Sequence, residues 1–284
     1  MLKSRINLFA VLFALPFLTY CSGSGSSEVE SPDGFNLVWS DEFDVDGPPD
    51  PNNWNFENGF VRNNEHQWYR PDNARVEDGH LIIEAVREEN LKNPDYDPDS
   101  DSWRENREFI EYTSSSMRTR GQHSWLYGRF EIKARIDTRP GIWPAFWSLG
   151  TSGGWPAGGE VDIMEYYRGT ILANAAWLSD RGRTPSWDGV KKPISEFEDD
   201  WSDKFHVWRM DWDEDFIRLY VDDLLLNEVD LTETINPDGT NPFHHPHYIL
   251  VNLAIGGHAG GDPSETEFPS RYEVDYVRIY EWAD

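Results

Sequence analysis

From about Phe35 onward, apolar and polar residues alternate with a period of two, not in the three- and four-residue spacing of a helix. Gly128–Ile136 is the clearest stretch. Phe130, Ile132, Ala134 and Ile136 fall on one face, and Arg129, Glu131, Lys133 and Arg135 on the other. The same reading predicts strands over Phe35–Trp39, Leu81–Val86, Gly159–Tyr167, Ile171–Trp177, Phe205–Trp212, Phe216–Asp222, Tyr248–Ile255 and Tyr272–Trp282. Asp213-Glu214-Asp215 predicts a hairpin turn. Only Ile194–Lys204 has a helical look, and the Pro- and Asp-rich stretch Glu88–Asp101 is expected to be a surface loop. Strands at this spacing, punctuated by Gly, Pro, Asn and Asp, predict an all-β sandwich. No repeat or internal linker divides it, so one domain is expected over residues 31–284.

Ahead of that domain the pattern changes. Lys3 and Arg5 precede an apolar run, Ile6–Leu18, broken only by Asn7 and Pro16. The run is too short for a membrane-spanning helix and reads as the core of a secretory signal over residues 1–21. Its end, Leu18-Thr19-Tyr20-Cys21, resembles a bacterial lipoprotein signal, with Tyr20 where a small residue is favoured. Cys21 would then carry lipid, and the Gly/Ser-rich residues 22–30 would be a flexible tether. The expected location is extracellular or on the cell surface, as an outer-membrane lipoprotein touching the membrane only through its anchor. If Cys21 is not lipidated, the protein is secreted.

Composition narrows the partners. The 284 residues carry 25 Lys+Arg against 52 Asp+Glu, a formal net charge of -27, which argues against nucleic acid. It also disfavours a polyanionic substrate unless a local basic pocket overcomes the field. One Cys excludes a disulfide framework and a Cys-based zinc site. A 14% aromatic content with 14 Trp argues against disorder and fits a protein that stacks rings on a ligand.

The candidate chemistry lies in Gly159-Glu160-Val161-Asp162-Ile163-Met164-Glu165-Tyr166. Strict alternation puts Glu160, Asp162 and Met164 on one face and turns Glu165 into the core. A one-residue β-bulge after Asp162 would return Glu165 to the acidic face. Three acids in a row repel, and at least one should hold its proton near neutral pH. Cleavage of a glycosidic bond uses such an arrangement: one carboxylate attacks the anomeric carbon while a carboxylic acid protonates the leaving oxygen. A solvated acidic face or a cation site remains open on spacing alone.

The strand resembles the bulged Glu-x-Asp-x-x-Glu catalytic strand of glycoside hydrolase family 16. Trp39-Ser40-Asp41-Glu42-Phe43, Tyr127-Gly128-Arg129-Phe130-Glu131, Trp143-Pro144-Ala145-Phe146-Trp147, Gly154-Trp155-Pro156-Ala157-Gly158, Asn252-Leu253-Ala254-Ile255-Gly256-Gly257 and Val274-Asp275-Tyr276-Val277-Arg278 look like the laminarinase-like branch, in order along the chain. The resemblance implies a jelly-roll β-sandwich with an open cleft on its concave sheet, a retaining endo-acting hydrolase over residues 31–284, and a polysaccharide substrate. It implies Glu160 as nucleophile, Asp162 as its assistant and Glu165 as general acid/base. Trp143 and Trp147, which share a strand face, and Trp155 are the expected sugar-stacking rings. Asn64, in a segment resembling the cleft edge of the family, is an expected substrate contact.

Two departures bear on the sugar. The branch commonly has Arg in the segment matched here by Ser114-Ser115-Ser116-Met117, and a Thr-x-His-Tyr/Trp-Gly run where this chain has Ala173-Asn174-Ala175-Ala176-Trp177. β-1,3-glucan is the leading substrate, a β-1,3- or β-1,4-galactan the alternative, and a non-catalytic carbohydrate-binding module the reading from another class. The resemblance also implies one structural calcium ion, for which Glu42, Gly79 and Asp275 are candidates; no cofactor is expected for the chemistry, and a monomer is expected. Gly150-Thr151-Ser152-Gly153-Gly154 matches G-x-S-x-G but lacks the strand-to-helix context of a nucleophile elbow. His244-His245-Pro246-His247 lacks the one-face spacing of a metal site.

Overall fold

The computed structural model describes residues 31–283. The expected signal peptide (1–21), the expected tether (22–30) and the lipidation candidate Cys21 lie outside the described residues. The strands, in chain order, are β1 (Phe35–Asp41), β2 (Asn55–Phe56), β3 (Gln67–Tyr69), β4 (Ala74–Glu77), β5 (His80–Lys92), β6 (Phe109–Ser114), β7 (Ser116–Arg118), β8 (Gly128–Arg135), β9 (Ile142–Gly150), β10 (Glu160–Tyr167), β11 (Thr170–Leu178), β12 (Pro185–Pro193), β13 (His206–Trp212), β14 (Phe216–Val221), β15 (Leu224–Asp230), β16 (His247–Ile255) and β17 (Ser270–Trp282). They form two stacked sheets. One runs β15-β14-β13-β8-β17-β5-β6-β3, with β1 on β17 and β4 on β5; the other runs β12-β11-β10-β9-β16-β7-β2. This is a jelly-roll β-sandwich, the all-β class expected.

The alternation read along Gly128–Ile136 is what holds the layers together. Phe130, Ile132 and Ala134 of β8 and Trp208, Met210 and Trp212 of β13 face the other sheet's Phe146, Val161, Ile163, Ala175, Val251 and Leu253, all buried in one cluster. Each large side chain stabilises the fold by roughly 1.5–3 kcal/mol through area removed from water. The opposite face of β8 carries ion pairs: Arg129 donates to Asp211 at 2.7 and 2.9 Å, Lys133 meets Asp275 at 2.6 Å, and Arg135 meets Glu273.

Glu42, Gly79 and Asp275 are drawn toward one region of that sheet by register, since Asp41 pairs with Val277 and Leu81 with Val274. The carboxylates of Glu42 and Asp275 are already engaged. Arg278 donates to both oxygens of Glu42 at 3.0 and 2.7 Å, and Lys133 holds Asp275. Among the described residues no group of three His, Cys, Asp or Glu side chains converges as a metal cage. As placed, these residues do not fit the calcium expectation: an ion there would have to displace two cationic side chains.

Three local expectations need correcting. Glu88–Lys92 continues β5 instead of opening a loop. Ile194–Lys204 contains two 3-10 turns, Ile194–Glu196 and Trp201–Asp203, and no α-helix. Side-chain packing sets that conformation, with Trp201 stacked on His206 at 4.0 Å and tilted against Phe197 at 4.9 Å. Pro185–Pro193 is an edge strand that alternation missed, because an edge strand at a cleft rim buries neither face fully.

Candidate active site

The β-bulge is present. On one side of β10, Asp162 pairs with Asn174 and Glu165 with Leu172, so three steps on β10 match two on β11. On the other side, Asp162 pairs with Trp147 and Met164 with Phe146. Ile163 and Met164 therefore occupy one place in the ladder, and both are buried in the core between the sheets. Glu160, Asp162 and Glu165 all emerge on the opposite face, on the floor of an open cleft of about 800 Å³.

The three carboxyls are held by different partners. Trp143 Nε1 donates to Glu165 Oε1 at 2.8 Å. Asn174 Nδ2 donates to Asp162 Oδ2 at 3.0 Å and reaches Glu165 Oε2 at 3.4 Å. Burial raises all three acids above their ordinary values, Asp162 to about 6 and the two glutamates well beyond theirs. The glutamates then differ. Asp162 pushes Glu160 up further, but the Arg62 guanidinium and a hydrogen bond from Trp155 favour its charged form. Glu165 is pushed up by Asp162, Glu160 and Glu65, with only the Trp143 hydrogen bond acting the other way. The environment thus favours the proton on Glu165 and the charge on Glu160.

Gly189 of β12 makes this arrangement possible. A Cβ there would stand 2.3 Å from Asn174 Oδ1, so any larger residue displaces the amide that bridges two of the acids. Gly189→Ala is expected to lower kcat roughly ten- to hundredfold with little change in KM, a consequence of misaligned acids. Steady-state kinetics on the purified variant checks this.

The cleft walls are aromatic. Trp155 and Trp187 are about half exposed and line it from opposite segments, one on the loop entering β10 and one on β12. Trp143 and Trp147 do share the cleft face of β9 but are nearly buried. Trp143 spends its N–H on Glu165, and Trp147 donates to Asn252 Oδ1 at 2.7 Å beneath the Arg62 guanidinium, 5.1 Å from the ring centroid. These two rings position the acids and floor; Trp155 and Trp187 are the ones free to stack on a sugar.

Asn64 is a correction. Its Oδ1 accepts from Arg107 Nη2 at 2.7 Å, and its neighbour Asn63 lines the cleft instead. Both have positive φ, so the turn swaps which amide faces the site. Sequence reading also missed Arg62, Glu65, Asn174, Trp187, Lys191 and Asn252, all lining the cleft. Asn174 had a signal, since it sits in the departing run Ala173–Trp177. Glu65 had one as well, in the cleft-edge segment that supplied Asn64: it is a fourth carboxyl at the cleft, buried and held by Gln67 at 2.7 Å and Asn63 at 3.2 Å.

Carboxyls of opposed charge preference on the floor of an open cleft with exposed Trp walls define a glycan hydrolase site on a β-sandwich. Comparison with known proteins places it further. The profile of glycosyl hydrolases family 16 matches residues 63–278, and the chain belongs to that family. It is 35% identical to a beta-glucanase of Rhodothermus marinus, over all of this chain and 98% of that one. Its fold is similar to the laminarinase catalytic domain of Thermotoga maritima, with a TM-score of 0.75, 36% identity, and 89% and 100% of the two chains covered. It is also similar to a structure solved in work on endo-acting O-glycanases of the human gut microbiota, with a TM-score of 0.80, 35% identity, and 89% and 92% covered. The chain is a glycoside hydrolase, and the binding-module reading gives way to it.

Proposed function

We propose that this chain is an endo-acting, retaining hydrolase of β-1,3-glucan in which Glu160 is the nucleophile and Glu165 the general acid/base. The observation that carries the reading is the bulge between Asp162 and Glu165, which aligns three acids on one cleft floor. In the first step Glu160 attacks the anomeric carbon while Glu165 gives its proton to the leaving oxygen. Asp162, between them, raises both glutamates, and Arg62 with Trp155 offsets that rise at Glu160 alone, which sets their protonation states apart. In the second step Glu165, now a base, takes a proton from water as it displaces Glu160, and the anomeric configuration is restored. The open cleft admits a polymer in mid-chain, which supports internal cleavage.

Incubation with laminarin should yield new reducing ends and oligosaccharides, with the β-anomer appearing first by proton NMR. First appearance of the α-anomer would overturn the mechanism, and absence of new reducing ends the substrate.

A β-galactan is the second reading. Ser116 is buried with its Oγ donating to Glu57 at 2.8 Å, so it presents no donor to a sugar. Ala176, opposite Glu160, offers no polar group either. Parallel assays on agarose and an arabinogalactan backbone separate the two sugars.

A further inference from the structure

The flank of the cleft formed by β7 and β2 has a charge unlike the rest of the chain. Arg62 and Arg118 share one carboxylate there, Glu57, and the charge of Arg120 acts on Arg118 beside them. Arg118 Nη1 lies 3.2 Å from Glu57 Oε1, Arg62 pairs with Oε2, and Ser116 donates to that same oxygen. Arg118 Nε donates to Asn55 at 2.7 Å, and the Asn55 amide donates in turn to the Arg120 carbonyl at 2.6 Å. Arg120 has no carboxylate partner among the described residues; its guanidinium lies over Tyr248, 5.6 Å from the ring centroid. Burial and the charges of Arg120 and Arg62 hold the Arg118 guanidinium below its ordinary value. Arg62 also acts on Glu160 and Glu65, so the positive excess on this flank lies with Arg118 and Arg120 against Glu57, in a protein of net charge -27. Like charges so close cost stability unless something negative joins them.

One member of the cluster, Arg62, lines the cleft, and Arg118 lies on the same cross-strand row as the acids. Arg118 pairs with Leu250, Leu250 with Trp147, and Trp147 with Asp162, so Arg118 stands three strands from the acids, roughly 14 Å away at ordinary strand spacing. Arg120 and Tyr248 line a second cavity of about 350 Å³, and Tyr248 pairs across the sheet with Leu149, which lines the main cleft. Tyr248 belongs to the same apolar patch as Trp147 and Leu250.

We propose that this flank is a subsite for an acidic substituent, a carboxylate or sulfate ester, on a sugar a few residues along the glycan from the bond that is cleaved. The inference rests on the glycan-hydrolase reading above. Arginine suits the task, because its planar fork matches both oxyanions in a bidentate manner. The supporting ring of Tyr248 would hold the Arg120 fork flat while leaving its edge free.

Binding is measured in the Glu165→Gln background, where substrate is not consumed, with two matched pairs of probes: native against sulfated or C6-carboxylated laminarin, and desulfated against native carrageenan. The charged member of at least one pair is expected to bind about tenfold tighter at low salt. That gain should vanish in high salt, be lost in Arg120→Gln and return only in part in Arg120→Lys, which keeps the charge without the fork. The carboxylated and sulfated laminarins tell the two anions apart. Equal binding within both pairs, or a gain untouched by Arg120→Gln, overturns the proposal. If wild-type enzyme cleaves laminarin but neither pair shows a gain, the subsite is wrong and the glucanase reading stands. If it cleaves no laminarin while a charged probe gains, the subsite stands and the glucanase reading fails.

Discussion

Glu160→Gln and Glu165→Gln should each reduce kcat on laminarin by three orders of magnitude or more, yet separate when the leaving group is changed. A sugar leaving group must be protonated as it departs, and a positioned acid contributes on the order of 10²–10⁴ to the rate. Glu165 has the environment of that acid, buried, pushed toward its neutral form by three neighbouring carboxyls, and held by Trp143. A dinitrophenyl β-glycoside departs without help, so on that substrate Glu165→Gln should recover most of the glycosylation rate, visible as a burst of phenolate. Glu160→Gln removes the atom that bonds to the anomeric carbon, and no leaving group compensates for it. Stopped-flow measurement of phenolate release decides the assignment. If both variants show the burst, or neither does, the two roles are misassigned.

That separation depends on a backbone irregularity visible in the residue order. The strand needed Glu165 on the face of Glu160, and alternation denied it unless one residue was looped out; Ile163 and Met164 share that place. The core of the sandwich was legible for a related reason, because Phe130, Ile132 and Ala134 repeat with the pleat and are buried as that repeat requires. What escaped was whatever depends on contacts between distant segments. Arg62 comes from a loop before β3, yet it covers Trp147 of β9 and affects Glu160 of β10. Trp187 and Gly189 lie on an edge strand whose sequence carries no clean period. Trp143 and Trp147 were correctly placed on the cleft face, but their burial and hydrogen bonds change their task from platform to support. The exposure of a ring is a tertiary quantity, and spacing alone cannot supply it.

The same burial that prepares the acids works against the fold, and the size of that conflict depends on pH. A carboxyl whose folded value lies above its unfolded one, near 4, keeps a proton in the native state over a window where the unfolded chain has released it. The unfolded state then binds fewer protons, and stability falls as pH rises from about 4 through the folded value. Asp162 spans this window up to about 6, and Glu160 and Glu165 carry it higher. Glu165→Gln removes one member of this set, so the variant should gain on the order of 2 kcal/mol relative to wild type between pH 4 and pH 8. In calorimetry this corresponds to a relative rise in Tm of roughly 5 °C. The glutamine oxygen can still accept from Trp143, and loss of the weaker Asn174 contact is independent of pH, so the change with pH is the readout. Self-repulsion of the acidic surface also destabilises both proteins at high pH, but it is nearly common to the two and cancels in the difference. Parallel Tm–pH curves for wild type and variant would mean that Glu165 ionises as it does in water, and that it is not the poised acid on which the two-step mechanism depends.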